Sequence, residues 1–120
     1  MKTMRLNYIK LPQLGTSVVL LAASGKRIEL HIKPVEEGLY SLIALGGISN
    51  EQPHKVKSQG PYHRSQQALG AANAIINALT SRGYCISETV AQWQIPAQRQ
   101  LRKIRDKRRQ HAVNYTFEPV

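Results

Sequence analysis

The stretch RIELHIK, residues 27–33, alternates polar and apolar side chains at every position. Ile28, Leu30 and Ile32 fall on one side of an extended chain, because successive side chains of a strand point to opposite faces. The polar side chains between them, which include Glu29 and His31, then form a second, polar face. The stretch therefore predicts a half-buried β-strand with one wet side.

Weaker patterns of the same kind flank this strand and predict a meander of about four antiparallel strands in the first 48 residues. Residues 24–26 have the composition of a tight hairpin turn. Pro34 is expected to end the RIELHIK strand, and the glycine pair 46–47 is expected to end the next one. Residues 49–64 contain two prolines and no apolar period, which predicts a long connection with a short strand at 55–57. The other predicted strands cover residues 4–10, 17–23 and 39–45.

Residues 65–82 carry apolar side chains at spacings of three and four, which is typical of an amphipathic helix. Ser65 is expected to cap its N-terminus. Gly83 supplies the left-handed residue that commonly ends a helix, and Tyr84 is placed to fold back on the last turn. We expect this helix to cover one face of the sheet.

The last third of the chain predicts further elements around a second helix. Residues 86–95 alternate around Trp93, which we assign to the core; this pattern favours a strand and leaves a helix open. Pro96 suits the first turn of a helix over residues 96–110, where its missing N–H has no partner to lose. Residues 112–118 alternate again and predict a closing strand.

These patterns together predict one domain over residues 1–120 with an α+β fold. The expected architecture is an antiparallel meander sheet with one amphipathic helix packed on it and a second, strongly basic helix near the C-terminus. A chain of 120 residues with 42% hydrophobic residues is suited to a single core and is too apolar for a disordered protein.

The net charge is concentrated in the second predicted helix. The chain has 17 Lys and Arg against 7 Asp and Glu, for a formal charge of +10 at pH 7. Residues 99–109 contain seven of these cations and a single acid, Asp106. Like charges one turn apart destabilise an isolated helix, so a polyanion would stabilise this segment. The seven cations are Arg99, Arg102, Lys103, Arg105, Lys107, Arg108 and Arg109.

Phosphate is the favoured polyanion, because Arg outnumbers Lys in the basic segment and its planar fork suits phosphate. On a helix, one row is expected to contain Arg99, Arg102, Arg105 with Asp106, and Arg109, and another row the two lysines, Lys103 and Lys107. One alternative is a solvated helix whose charge serves solubility. Another is an acidic membrane surface, which the meagre apolar stripe of this helix disfavours.

A second contact area is predicted in the long connection, where four residues form a basic group around an aromatic ring: Lys55, Lys57, Tyr62 and Arg64. Tyr62 is a candidate for stacking on a base, as exposed aromatic side chains do in single-strand binders. The alternative is that Tyr62 packs over the start of the first helix as a hydrophobic staple.

No catalytic, cofactor or metal site is predicted. The four histidines have no metal-ligand spacing, and the phosphate-loop and dinucleotide-binding motifs are missing. An acid–base pair of His54 and His63 for RNA cleavage is the weaker alternative to histidines that only add to a basic surface. The single cysteine, Cys85, the short apolar runs and the lack of a secretion signal predict a cytoplasmic protein without a membrane helix.

The stretch 25–84 resembles the WGR domain, a small module associated with nucleic acids. The shared features are an alternating strand, RIELHIK; a second strand that runs into a glycine corner, YSLIALGGIS; a basic connection; and a helix that ends in Gly-Tyr, SQQALGAANAIINALTSRGY. Leu45, Gly46 and Gly47 stand where the family has Trp-Gly-Arg, so only the glycine is retained. The resemblance implies a similar architecture and nucleic acid as the partner.

The predicted function is non-enzymatic nucleic-acid binding, DNA or RNA, through largely sequence-independent phosphate contacts of the basic helix. The alternative is a protein-interaction or adaptor module, homo-oligomeric in one version, whose basic helix docks on an acidic partner. Open strand edges would allow a sheet to extend between subunits.

Overall fold

The structure, a computed structural model, describes residues 16–117 and the side chains of residues 17–109. It contains a five-stranded antiparallel sheet and two helices, which confirms the α+β fold. The strand order is β4-β3-β2-β1-β5, so that β2 is central. The elements are β1 (Thr16–Leu21), β2 (Lys26–Glu36), β3 (Leu39–Ile48), β4 (Pro53–Tyr62), α1 (Ser65–Thr80), β5 (Cys85–Ser87) and α2 (Gln94–Phe117).

Strand β2 contains the RIELHIK stretch and separates two apolar clusters. On one face Leu30 and Ile32 pack with Leu42 of β3 and with Ala68 and Ala72 of α1. The opposite face is covered as well, because α2 packs on it through a second cluster that contains Val35, Leu39, Ile43, Leu45, Trp93, Ala97 and Leu101. The sheet therefore lies between two helical layers.

The prediction of a wet face on β2 is wrong. Arg27, Glu29 and His31 are all less than 5% exposed, beneath the chain that leads into α2. Alternation predicts the strand correctly, but it does not distinguish a polar face in water from a buried polar face whose groups bond to one another.

Strands β2 and β3 both run further than predicted. Strand β2 continues through Pro34 to Glu36, with a bulge at Val35. The described pairing of β1 with β2 ends at Ile32. Pro34 lies beyond it, so no β1 residue in the described part of the chain would accept a hydrogen bond from the N–H that proline lacks. Strand β3 continues through both glycines to Ile48, and Gly47 is needed because a Cβ there would lie 3.1 Å from the His54 backbone nitrogen.

The predicted connection over residues 49–64 is largely an edge strand. Strand β4 pairs with β3 over almost its whole length and contains the expected short strand at 55–57. Eight of its ten residues are exposed, and an exposed edge strand does not need the apolar alternation that would have revealed it. Prolines at 53 and 61 are compatible with an edge position.

Helix α1 ends as predicted, slightly early at Thr80. Gly83 has φ +101°, and the Tyr84 N–H donates to the Leu79 carbonyl at 3.1 Å, which closes the helix with the expected reversal. The N-terminus differs, because Arg64 occupies the capping position and no side chain caps it.

The segment before α2 is mostly irregular. Only Cys85–Ser87 forms a strand, so the predicted strand over 86–95 is wrong for most of its length. Pro96 lies in the first turn of α2 and Trp93 is buried, as expected. The helix runs on to Phe117, which replaces the predicted strand at 112–118 as far as the structure is described. The strand predicted at 4–10 lies outside the described residues.

Two glycines give opposite predictions for stability. Gly47→Ala should destabilise the protein by roughly 1 kcal/mol or more, because the new methyl group meets the backbone of residues 53 and 54 at 3.1–3.2 Å. Gly70→Ala, in the interior of α1 with nothing within 4 Å of the new Cβ, should stabilise it by about 0.5–1 kcal/mol. Urea unfolding measures both; equal effects of the two substitutions would contradict the close approach at Gly47.

Candidate nucleic-acid interface

Helix α2 runs along β2 in the same direction and is held near its start and at its middle. Near its start the Gln92 and Trp93 amides bond to Glu29, and further along Arg105 bonds to the carbonyls of residues 34 and 35. The distances along the two elements agree between two pairs of residues in contact, Trp93 with Glu29 and Arg108 with Glu36. Fifteen helical steps from Trp93 to Arg108 cover about 22 Å. Seven strand steps from Glu29 to Glu36 cover about 23 Å. The basic helix therefore has a fixed direction and rotation on the sheet.

The Glu29 carboxylate is the anchor at the start of α2. It is completely buried and accepts hydrogen bonds from Arg27 Nε at 2.8 Å, His31 Nε2 at 2.9 Å, the Gln92 N–H at 2.8 Å and the Trp93 N–H at 3.2 Å. Backbone amides that precede a helix and a guanidinium are strong partners for a buried negative charge. The charge is therefore paired, and its partners fix where α2 begins.

Trp93 completes this anchor from the helix side. Its ring lies 5.7 Å from the Arg27 guanidinium carbon, within range of a cation–π contact. The indole N–H donates to the Glu51 carbonyl at 2.6 Å, and Arg27 also donates to the Val90 carbonyl at 3.1 Å. One arginine and one tryptophan thus tie the segments before β4 and before α2 to the central strand.

The protonation states follow from burial and hydrogen bonding. Burial alone would raise the pKa of Glu29, but the hydrogen bonds from His31, the Gln92 N–H, Arg27 and the Trp93 N–H hold the pKa below its ordinary 4.5. Burial lowers the pKa of His31 below 6.5, against the opposing effect of Glu29. At pH 7 Glu29 is therefore ionised, and His31 is neutral and donates its Nε2–H.

Three of the seven predicted phosphate-binding cations of α2 have partners within the protein, and four have none within the described residues. Arg105 is committed to the fold, because Nε donates to the Val35 carbonyl and Nη2 to the Pro34 carbonyl, both at 2.8 Å, at the bulge of β2. Arg108 pairs with Glu36 at 3.4 Å and Arg109 with Asp106 at 3.3 Å, both at exposed positions. The four that form no ion pair within the described residues are exposed: Arg99, Arg102, Lys103 and Lys107.

The buried side of α2 rearranges the predicted rows of cations. Trp93, Ala97 and Leu101 are buried at intervals of four, with half-buried Ile104 beside them. With that side on the sheet, Arg99, Lys103 and Lys107 follow one another along one flank at a rise of about 6 Å per step, and Arg102 and Arg109 lie on the outer surface. Arg99 therefore belongs with the lysines rather than with Arg102.

The flank that carries Arg99 and Lys103 borders the edge strand β4. Between the two elements lies an open cleft of about 200 Å³. Val56 of β4 contributes an apolar wall and is 37% exposed. The other lining residues are Gln52, Pro53, Pro96, Arg99, Gln100 and Lys103.

The second predicted contact area lies on the other face of the sheet. Val56 opposes Leu45 of the α2-side core, so its neighbours Lys55 and Lys57, which oppose Gly46 and Ala44, point to the α1 side. Both lysines are exposed. The structure thus separates them from the cations of α2 by the thickness of the sheet.

Tyr62 and Arg64 lie where β4 meets α1. Tyr62 is half-buried against the cluster beneath α1, and its hydroxyl donates to Gln59 at 3.2 Å. This packing is of the kind that the staple alternative for Tyr62 expects. Arg64 is exposed at the N-terminus of α1.

Sequence reasoning missed the Arg27–Glu29–His31 network and the cleft beside β4. The signal for the network was present in three ionisable residues placed two apart in one strand. The cleft had no comparable signal, because it depends on β4, which was predicted as a connection. Cys85 is exposed. Within the described residues no group of three His, Cys, Asp or Glu side chains suits a metal ion, and neither described helix is long and apolar enough to cross a membrane.

Stability should decrease as the pH falls below about 6.5. The pKa values of His31 and Glu29 are both lowered by folding, so the unfolded chain binds more protons, first at His31 and then at Glu29 below about pH 4.5. Urea midpoints from about pH 7.5 to about pH 4 measure the curve. His31→Gln should flatten the part of the curve just below pH 6.5. A flat wild-type curve would contradict the assigned protonation states.

Arg105 and Arg102 should respond differently to the same substitution. Arg105→Ala leaves two carbonyls at the β2 bulge without their donors and should cost about 2 kcal/mol of unfolding free energy. Arg102→Ala removes an exposed side chain and should stay within about 0.5 kcal/mol of the wild type. Similar losses for both variants in urea unfolding would show that Arg105 does not hold α2 to the strand.

Comparison with family models gives a match over nearly the whole chain. The model of a family described as PA4575-like protein matches residues 4–120. No curated protein and no solved structure matches the chain.

Proposed function

The chain belongs to the PA4575-like protein family, and we propose that it is a non-enzymatic nucleic-acid-binding protein that contacts phosphates through α2. The observation that carries the proposal is a set of exposed cations that form no ion pair with any described residue and lie on one firmly held helix: Arg99, Arg102, Lys103 and Lys107. Cations that only served solubility would not need to be gathered on one element.

The way in which α2 is held supports binding. Glu29 fixes the start of the helix and Arg105 fixes its middle, so the free cations are presented by a backbone that is already ordered. Ordering a binding element before contact lowers the entropy cost of association. The spacing of Arg99, Lys103 and Lys107 along one flank is similar to the separation of neighbouring phosphates on one strand.

The contacts should have little sequence preference. The apolar side of α2 is buried on the sheet, and most of the exposed residues of its described part are Arg and Lys, which contact phosphates in any sequence. Phosphate contacts position a protein on nucleic acid without selecting a sequence. A second proposed contact area lies on the edge strand β4 and just after it, at Lys55, Lys57, Tyr62 and Arg64.

The second candidate is an adaptor that binds an acidic protein. The observation that favours it is the edge of β4, whose outer backbone groups have no partner strand among the described residues. An acidic strand could add there, between the lysines on one face and Arg99 and Lys103 on the other. Lysines on an edge strand also discourage such pairing, so we rank nucleic acid first.

Binding should depend on the cations of α2 rather than on net charge. The variant Arg102→Gln with Lys107→Gln should weaken binding of labelled random-sequence oligonucleotides and reduce the slope of log K against log salt by about 2. Lys26→Gln with Arg82→Gln removes the same charge on the α1 side and should leave the slope nearly unchanged. Fluorescence anisotropy between about 50 and about 200 mM salt measures both.

Three outcomes would count against the proposal. The unaltered protein could fail to bind any oligonucleotide at low salt. The two double variants could lose affinity equally, which would mean that only net charge matters. Poly-L-glutamate could displace the oligonucleotide at an equal concentration of charge, which would favour the acidic protein partner.

A further inference from the structure

We propose that the cleft between α2 and β4 holds one nucleotide of a single strand, with its phosphate on Arg99 and Lys103 and its sugar or base against Val56. This inference rests on the proposed function and names the form of nucleic acid that the site takes. The two proposals depend on different contacts. Phosphate binding depends on the cations of α2, whereas the cleft proposal depends on uncharged residues that the rest of the helix surface does not have.

The cleft combines the two kinds of surface that a nucleotide requires. Arg99 and Lys103 are one helical turn apart and both line it, so a phosphate at its rim meets two cations. Val56, Pro53 and Pro96 supply an apolar wall, and the amide of Gln100 offers a donor and an acceptor beside it. A patch for phosphate alone would have no use for that wall.

Val56 itself is unusual in its surroundings. The residues of β4 on either side of it, from His54 to Gln59, are polar and exposed. Its side chain points to the α2 side of the sheet, opposite Leu45, yet α2 leaves it 37% exposed. An apolar group that is available in a cleft bordered by cations is a contact surface for the apolar part of an anionic ligand.

The exposed apolar wall of the cleft favours a single strand over a duplex. The cleft, about 200 Å³ in volume and open to solvent, has room for one base or sugar. In a duplex the faces of the bases are stacked on one another and cannot reach an apolar wall, whereas the bases of a single strand are free to do so. A flexible strand could also continue round the edge strand to Lys55 and Lys57, which a stiff duplex could not.

The test removes the uncharged cleft contacts and keeps every charge. The variant Val56→Thr with Gln100→Ala preserves the shape of the strand residue and the helix propensity. The matched control is Ser58→Thr with Gln98→Ala, on the same strand face and on the opposite flank of the same helix. The probes are a fluorescein-labelled single-stranded oligothymidylate and a labelled duplex of random sequence, followed by anisotropy at fixed salt.

We expect the cleft variant to bind the single strand about tenfold more weakly, while its duplex affinity and salt slope stay as in the wild type. The control should behave as the wild type with both probes. Equal single-strand affinity of the cleft variant and the control would overturn the cleft proposal and leave phosphate binding by α2 standing. A parallel loss with the duplex would also overturn it. No binding of either probe by the unaltered protein would overturn both proposals.

Discussion

The buried carboxylate of Glu29 is the interaction on which the arrangement of the second layer depends. A charge without solvent is costly unless donors surround it, and here Arg27, His31 and two backbone amides do so. Since the amides belong to the residues just before α2, the helix can begin at only one place on the central strand. Arg105 then fixes its rotation further along. The positions of all the other α2 cations follow from these two points.

The elements with strong local signals were predictable. The hairpin at 24–26, the Gly83 and Tyr84 ending of α1 and the helical start at Pro96 each depend on nearby residues, and the structure has all three. Strand β4 was not predictable, because an edge strand that is exposed on both faces has no apolar period. The polar half of RIELHIK was misassigned, since a sequence pattern does not show whether a second helix covers that face.

The candidate site was predictable only in part. The sequence shows that residues 99–109 are basic, and it does not show which cations are available. Arg102 and Arg105 are the same residue type three positions apart, yet one is exposed and the other serves two carbonyls at a bulge some 70 residues earlier in the chain. The cleft beside Val56 has the same difficulty, because its two sides lie forty or more positions apart in the chain and meet only in the folded protein.

The attachment of α2 to β2 also determines when the proposed binding surface can exist. Its hydrogen bonds join residues 63 to 72 positions apart, so they form only after a long loop has closed, and contacts of such high order are typically made slowly. Until then the segment is a row of mutually repelling charges, and Val35, Ile43 and Leu45 lack their cover. The proposed polyanion-binding surface thus depends on contacts between distant parts of the chain, and a chain shortened before α2 would lose one wall of its core together with half of its formal net charge.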